Sequence, residues 1–235
     1  MRLRTRAWLT GLAALVVSGP VAAQQRIDSP YRFIDRSQGA GVLVGYLGAN
    51  EGRLGAGPSS APAVGLRYGI AVTGPIQLDL EGVFAPTSRA VVDTAFTTPD
   101  SARITHGEAD MSLLIALLQL RFNLTGQRTW HGVQPFAAFG VGVAADLSGE
   151  QAADAVLAED ARFDFGTSFA GSLGAGLEWY PTQRWSLRAD ARTLFWKLKA
   201  PAAFRLENSA DSDRIIPADE WEQNGLLSVG LSFHF

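Results

Sequence analysis

Four arginines and four carboxylates occur within otherwise apolar, alternating segments of the sequence. The eight residues are Arg67, Asp79, Glu81, Arg121, Glu178, Arg188, Asp190 and Arg192. A spacing of two residues puts side chains on one face of a β-strand, so we expect these charges to share one face of a sheet. Unpaired buried ions are costly, whereas arginines that face carboxylates compensate one another. The pattern predicts a salt-bridged structural network, and an ion or proton path through the same cluster is the alternative.

Two tight turns specify contacts within this network. The turn at Thr73–Ile76 would set Arg67 close to Glu81, because a short hairpin fixes the register of its strands. By the same argument, the turn after the sixth strand would bring Glu178 near Arg188 and Ser186.

Catalysis by acyl transfer would need a nucleophile, a base and an orienting acid in one place. The three histidines do not offer this: His106 lies in a long polar segment, His131 lies in a short turn, and His234 faces inward at the rim of the last strand, at the same end as that turn. We therefore expect no catalytic residues. A lipid-modifying enzyme is the remaining alternative from that class.

Composition excludes several other classes of site. The chain has no cysteine, which rules out disulfides and thiolate metal ligands. It has no regular D-x-D-x-D-G calcium loop and no basic stripe for nucleic acid. We expect no cofactor, no metal and no nucleic-acid partner. Yet 47% of the residues are hydrophobic, 18% are charged and 25 are glycine, which suits a β-sandwich or a membrane barrel.

The first residues have the pattern of an export signal. Three arginines at positions 2, 4 and 6 precede a short apolar run, Leu9–Val17, and the small residues Val21-Ala22-Ala23 follow it. This pattern predicts a signal peptide over residues 1–23, too short to span a membrane as a helix. Residues 24–38 would then form a periplasmic N-terminal segment, which either leads into the barrel or plugs its lumen.

Eight stretches alternate between apolar and small or polar residues, which is the pattern of half-buried strands. They are Gly41–Ala49, Ala61–Thr73, Ile76–Ala85, Ala109–Leu124, Val133–Leu147, Phe169–Tyr180, Trp185–Leu198 and Gly225–Phe235. Two are ambiguous. In the first, Val42, Val44 and Tyr46 compete with Leu43 and Leu47 for the apolar face. In the fourth, the apolar parity changes near Leu117, so either a β-bulge shifts the phase or the upper lumen accepts leucines.

The segments between these stretches alternate between short turns and long loops. The long ones are about Asn50–Ser60, Pro86–Glu108, Ser148–Ser168 and Lys199–Asn224. Three short turns on one side and four long loops on the other are typical of an outer-membrane barrel, with the loops facing outward.

The last strand shows best which face is apolar. Leu227, Val229, Leu231, Phe233 and Phe235 alternate with small or polar residues up to the end of the sequence. We expect this strand to close the barrel, with its odd positions facing lipid. A soluble lipocalin-like barrel would place the apolar face inside. The eight charges on the other face and the aromatic residues near strand ends favour lipid outside.

The chain resembles the small outer-membrane β-barrel families that include the OmpA membrane domain and the OmpX/Ail group. The resemblance rests on Gly174–Pro181 leading into Trp185–Arg188, and on Gly230–Phe235; it covers about residues 39–235. We expect no peptidoglycan-binding domain after the barrel. The resemblance implies an all-β, eight-stranded antiparallel up-and-down transmembrane β-barrel in the outer membrane.

The expected partners follow from that location. They are outer-membrane lipid and lipopolysaccharide, the barrel-assembly machinery through the strand ending in Phe235, and an extracellular partner through the long loops. We expect a non-enzymatic protein with a structural or surface-interaction role and a lumen plugged by the arginine–carboxylate network. A narrow pore or conduit for ions or small apolar molecules is the alternative.

Overall fold

The computed structural model describes residues 29–35, 37–96, 103–149, 151–205 and 217–235. The predicted signal peptide lies outside these ranges. The described strands are β1 Tyr31–Phe33, β2 Gln38–Gly48, β3 Ala61–Thr73, β4 Ile76–Phe96, β5 Arg103–Asn123, β6 Arg128–Trp130, β7 Val133–Asp146, β8 Thr167–Trp179, β9 Trp185–Lys199 and β10 Asp219–His234. A four-residue helix, α1, spans Ala202–Arg205. Within these ranges, no helix is long and apolar enough to cross a membrane.

Eight of the strands close into a ring. Around the barrel the order is β2, β3, β4, β5, β7, β8, β9 and β10, and every neighbouring pair is antiparallel. Strand β10 closes the ring by pairing with β2 over ten residues, from Gly225 opposite Gly48 to His234 opposite Gly39. The predicted eight-stranded up-and-down barrel is confirmed. Strands β1 and β6 form a small ribbon beside this ring.

The two ends of the barrel differ, and we call them the turn end and the loop end. The turn end carries the chain reversals after β3, β5 and β8, and it also carries the β1–β6 ribbon. The loop end carries the longer connections, including Ala49–Ser60 and the segment between β7 and β8, which contains two 3-10 turns at Ala152–Val156 and Glu159–Ala161.

One predicted loop is largely strand. Strand β4 continues to Phe96 and β5 begins at Arg103, so most of the segment expected as a loop over Pro86–Glu108 is a hairpin that extends beyond the ring. β-Branched residues, which favour strands, are frequent in its two arms. Strand β10 likewise starts at Asp219 instead of Gly225.

The wall is apolar on the outside, as predicted. Val42, Val44 and Tyr46 of β2 are exposed, whereas Leu43 and Leu47 point into the lumen and are buried, which resolves the ambiguity of this strand. The other exposed residues of the wall include Val64, Leu66, Leu80, Leu118, Phe122, Phe139, Val141, Leu173, Leu177, Leu187, Leu227, Val229 and Leu231. A continuous belt of this kind fits a lipid environment.

The change of parity in β5 is not a bulge. The pairing of β4 with β5 runs without a break from Ile76–Phe122 to Ala90–Glu108. Met111, Leu113, Ile115 and Leu117 therefore all face the lumen, where they are buried. The leucines of β5 therefore face the lumen, as the second interpretation predicted. The half of the lumen nearer the loop end, which we call the upper lumen, has an apolar core that these side chains help to fill.

The lumen is thus built of two layers. Toward the loop end, inward-facing side chains form one apolar cluster around Leu47, Leu113, Leu194, Trp196 and Leu226. Phe163 and Phe165, from the segment between β7 and β8, belong to the same cluster. Toward the turn end, the inward-facing residues are charged or polar.

Candidate functional site

The eight charged residues predicted to share a face lie together in the lower lumen. None is more than 8% exposed. Strands β3, β4, β5, β8 and β9 supply them, because an inward-facing position recurs every second residue along each strand. The interior of an eight-stranded barrel is only wide enough for side chains to fill it, so these long side chains contact one another.

Asp190 is the centre of this network. Its carboxylate lies 2.8 Å from Arg192 Nε, 3.0 Å from Arg188 Nε and 3.4 Å from Arg67 Nη2. The Ser228 hydroxyl donates to the same carboxylate at 3.0 Å. One carboxylate therefore contacts three guanidinium groups, which are also paired with Asp79 or Glu81.

Other ion pairs connect strands that do not touch in the wall. Arg188 Nη1 lies 2.8 Å from Asp79 Oδ2, and Arg192 Nη1 lies 2.5 Å from Glu81 Oε1. Glu81 also receives Arg67 Nη2 at 2.5 Å, and the two residues stand opposite each other in the β3–β4 hairpin. This is the pair that the tight turn predicts.

Arg121 and Glu178 complete the network nearer the turn end. Arg121 Nη1 lies 2.5 Å from Glu178 Oε2. Phe136, which is buried in the lumen, lies under two guanidinium groups, 4.9 Å from Arg121 Cζ and 4.2 Å from Arg188 Cζ. Because an aromatic face attracts a cation, Phe136 holds both arginines without adding a charge.

His234 is buried inside the lumen, whereas the sequence suggested a rim residue. Its Nε2 lies 2.7 Å from Ser186 Oγ, and Ser186 Oγ in turn donates to Glu178 Oε1 at 2.5 Å. A hydroxyl has only one proton, so a serine that donates to Glu178 accepts from His234. In a nucleophile–base pair the serine would donate to the histidine. The polarity of this arrangement is therefore structural.

Tyr180 and Gln134 close the polar layer at the turn end. The Tyr180 hydroxyl donates to Gln134 Oε1 at 3.4 Å, and its ring lies 5.2 Å from that of His234. Burial, reinforced by the negative charge of Glu178, raises the pKa of the Tyr180 phenol, so this group remains a protonated donor.

The other two histidines have different partners. His106 lies on the extended β4–β5 hairpin, with Nε2 2.9 Å from Asp93 Oδ2. His131, in the turn before β7, has a positive φ of 50° and an edge contact with Trp130. Within the described ranges, no three histidine, aspartate or glutamate side chains are grouped so that they could hold a metal ion.

The loop end is closed by its own small apolar core. Val91 and Ala109 of the extended hairpin pack with Leu157, Ala161 and Phe204. A buried ion pair fixes the same region, with Arg89 Nη2 2.5 Å from Asp154 Oδ2. These contacts join the hairpin, the β7–β8 segment and α1 into one packed cap.

Sequence reasoning missed most neutral members of the lower lumen. Phe136 and Ser228 were visible only as inward positions of their strands, whereas the contact of Ser186 with Glu178 was predicted from the turn after the sixth strand. Gln119, fully buried between the two layers, has no hydrogen-bond partner for its amide among the described residues. No charge pattern marks Phe136, Ser228 or Gln119.

Comparisons with known proteins agree on the architecture. No family model and no curated protein matches the sequence. Among solved structures, the match to neisserial surface protein A covers 88% of this chain and 98% of that chain, at a TM-score of 0.51 and 12% identity.

Two further solved structures have lower scores. The match to the outer-membrane protein OprG of Pseudomonas aeruginosa covers 85% of this chain and 97% of that chain, at a TM-score of 0.49 and 12% identity. The match to Ail of Yersinia pestis covers 85% of this chain and 99% of that chain, at a TM-score of 0.36 and 15% identity. At such identities the likeness concerns the fold. Together with the apolar outer wall, the likeness to neisserial surface protein A identifies the fold as an eight-stranded transmembrane β-barrel.

Proposed function

We propose that the protein is a non-enzymatic structural or surface-interaction barrel whose lumen is closed to solutes. The observation that carries this proposal is the filled lumen. The apolar cluster around Trp196 blocks the upper half, and the ion pairs of Asp190 and Glu81 cross the lower half. A solute would have to displace both layers to pass.

The packed cap supplies the surface for an extracellular partner. Loop Ala49–Ser60 bends over the rim, held by Asn50 N donating to Asn224 Oδ1 at 2.8 Å and Arg53 N donating to Glu220 Oε2 at 3.0 Å. The exposed carboxylates of the described cap are Glu51, Glu108, Asp110, Glu159, Asp160, Asp164 and Asp219. A partner would therefore meet a pre-formed acidic surface, which favours a cationic contact region.

Single-channel recording tests the closed lumen. The refolded protein, inserted into planar bilayers, should give no steady openings. Insertion is checked separately by the different migration of boiled and unboiled samples on SDS gels. Steady large openings from correctly folded protein would overturn the proposal.

A narrow conduit for ions or small apolar molecules is the second candidate, and one observation favours it. A small cavity of about 40 Å³ at the turn end is lined by Gln38, Gln77, Tyr180 and His234 among others. A second cavity, which shares His234 and Gln77, reaches Arg67, Arg121 and Arg188. Small, charge-selective currents in the same recordings would support this candidate over the first.

The enzymatic alternative has its own test. Mass analysis of lipid A, from cells with and without the protein, should show the same acyl pattern. A changed pattern would contradict the non-enzymatic assignment. The outer-membrane lipids, including lipopolysaccharide, then act only as solvent for the apolar wall.

We also propose that the barrel-assembly machinery recognises β10 through its alternating apolar residues and Phe235. Replacement of Phe235 by serine should lower the amount of heat-modifiable protein in outer membranes without affecting refolding of the purified chain into detergent. Unchanged amounts in the membrane would exclude this role.

A further inference from the structure

The β1–β6 ribbon continues the outer wall of the barrel at the turn end. Tyr31 pairs with Trp130, and Trp130 pairs with Val133 of β7. Val133 pairs in turn with Trp179 of β8. Because residues directly opposite each other on paired strands present side chains on the same face, these four residues form one row.

That row lies on the lipid-facing side. Trp179 belongs to the exposed parity of β8, together with Leu173 and Leu177. The ribbon residues of the same face are also open, with Tyr31 50%, Phe33 51% and Trp130 54% exposed. Thr129, on the other face of the ribbon, is fully buried. The ribbon therefore turns its aromatic face outward and Thr129 toward the barrel, while Arg32, which pairs with Thr129, remains exposed.

The neighbouring wall at this end is also aromatic. Trp185 packs on Phe233 with ring centroids 5.1 Å apart, and Phe233 packs on Phe235 at 6.4 Å. Tryptophan and tyrosine concentrate where a barrel crosses the headgroup layer. The ribbon thus adds three rings to an existing interfacial girdle.

Cations accompany these rings. Arg128 stands opposite Phe33 in the ribbon and is exposed. Arg32 reaches toward Gly132, beside the Trp179 ring, and Arg184 is exposed in the β8–β9 turn. Asp35 is the exposed carboxylate beside them in this part of the described chain. Arginines with apolar neighbours keep their charge at the level of lipid phosphates.

We propose that the β1–β6 ribbon is an interfacial anchor, whose aromatic face inserts into the phospholipid headgroup layer at the turn end. Continuity with the lipid-facing girdle selects the occupant, because no break in the sheet separates Trp130 from Trp179. Arg128 then contacts lipid phosphate.

Hydrogen bonds couple the anchor to the barrel. His131 N donates to Pro30 O at 2.9 Å, Ile34 N donates to Gln127 O at 3.0 Å, and Gln183 Nε2 donates to Phe33 O at 3.1 Å. They tie the N-terminal strand to two turns of the barrel. Contact with lipid therefore holds the segment from which Ile34 and Ser37 line the polar cavity.

The absence of cysteine makes a direct test possible. Single variants F33C and W130C of the full chain, each carrying a nitroxide label, are refolded into vesicles of phosphatidylcholine and phosphatidylglycerol. Accessibility to oxygen and to a nickel chelate then reports the depth of each label. V229C on the lipid-facing wall and A158C on the cap provide the apolar and aqueous controls.

We expect both ribbon labels to fall between the two controls, with more oxygen and less nickel accessibility than the A158C label. If both are as accessible to nickel as the A158C label, the ribbon lies in water and the proposal fails. Spin–spin broadening at position 33 that is lost on dilution with unlabelled protein would instead show a second copy on this face, and would also overturn it. Adding Arg128→Glu should raise the nickel accessibility of the F33C label; no change would exclude the phosphate contact.

Discussion

Arg192 Nη1 lies 2.5 Å from Glu81 Oε1 although the two residues stand on opposite walls of the barrel. Strand β9 is four positions from β4 around the ring, in either direction. The Arg188–Asp79 pair spans the same two strands. These pairs act as cross-braces, because no hydrogen bond of the wall connects β4 with β9.

Removal of one brace should therefore be costly. Replacement of Glu81 by glutamine leaves Arg67 and Arg192 buried with less compensation, and we expect a loss of about 3–5 kcal/mol in the free energy of unfolding. Urea titration of the refolded barrel in vesicles measures it. Glu220→Gln is the control, because its partner Arg53 is 69% exposed and exposed pairs contribute at most about 1 kcal/mol. Equal losses for the two variants would contradict the network's structural role.

Two adjacent leucines test which side of the wall is the core. Leu117 is 1% exposed in the lumen, whereas Leu118 is 47% exposed on the outside. Leu117→Ala should lower the unfolding free energy by about 2–5 kcal/mol, because a cavity remains. Leu118→Ala should cost less, since lipid chains fill the gap. The reverse order, measured by the same titration, would argue for an apolar interior of the lipocalin kind.

A pair of glycines tests the packing of β5 against β7. A methyl group at Gly142 would meet the Ala116 carbonyl oxygen, whereas one at Gly171 would meet nothing within 4 Å. Gly142→Ala should therefore destabilise the barrel by about 1–3 kcal/mol or more, and Gly171→Ala should be nearly neutral. The temperature at which each variant loses its fast-migrating form on unboiled gels gives the comparison. Similar temperatures would show that strands β5 and β7 are less closely packed at Gly142 than described.

Ser186 should be unreactive toward a fluorophosphonate probe. Its hydroxyl donates to Glu178, and the residue is fully buried, so neither activation nor access is provided. Mass spectrometry of the folded protein after exposure to the probe checks this, with a known serine hydrolase as positive control. Covalent labelling of Ser186 that is lost in the His234→Ala variant would show a working nucleophile.

Alternation was sufficient to predict the strands and the shared face of the eight charges, whereas the orientation of the ring also required those charges and the aromatic residues near strand ends. Each strand is a weak signal, but an inward position that recurs every second residue has one meaning once the outer face is fixed. Arg67 and Glu81 could be paired from sequence because a tight hairpin sets their register. The pairs across the lumen, such as Arg188 with Asp79, could not, since they depend on the bore and on the order of strands far apart in the chain.

Other features were hidden because their residue types are ambiguous. Leu113 and Leu117 look like lipid-facing residues, and only the unbroken β4–β5 register shows that they fill the upper lumen. The extended hairpin was expected as a loop because its arms lack strict alternation. It is stabilised by Val91 and Ala109 packing on distant segments, which local pattern does not reveal. His234 was recognised as inward-facing, but its hydrogen bond to Ser186 required the register of β10 with β9.

The cross-braces also bear on how the barrel is made. A contact between opposite walls cannot exist in an open sheet, so these charges remain hydrated until β10 docks between β9 and β2. The open sheet then has one hydrated, charged face and one apolar face, which suits it to lie at a membrane surface. Removal of water from the arginines, closure of the ring and entry into the bilayer would therefore be expected to occur as one cooperative step.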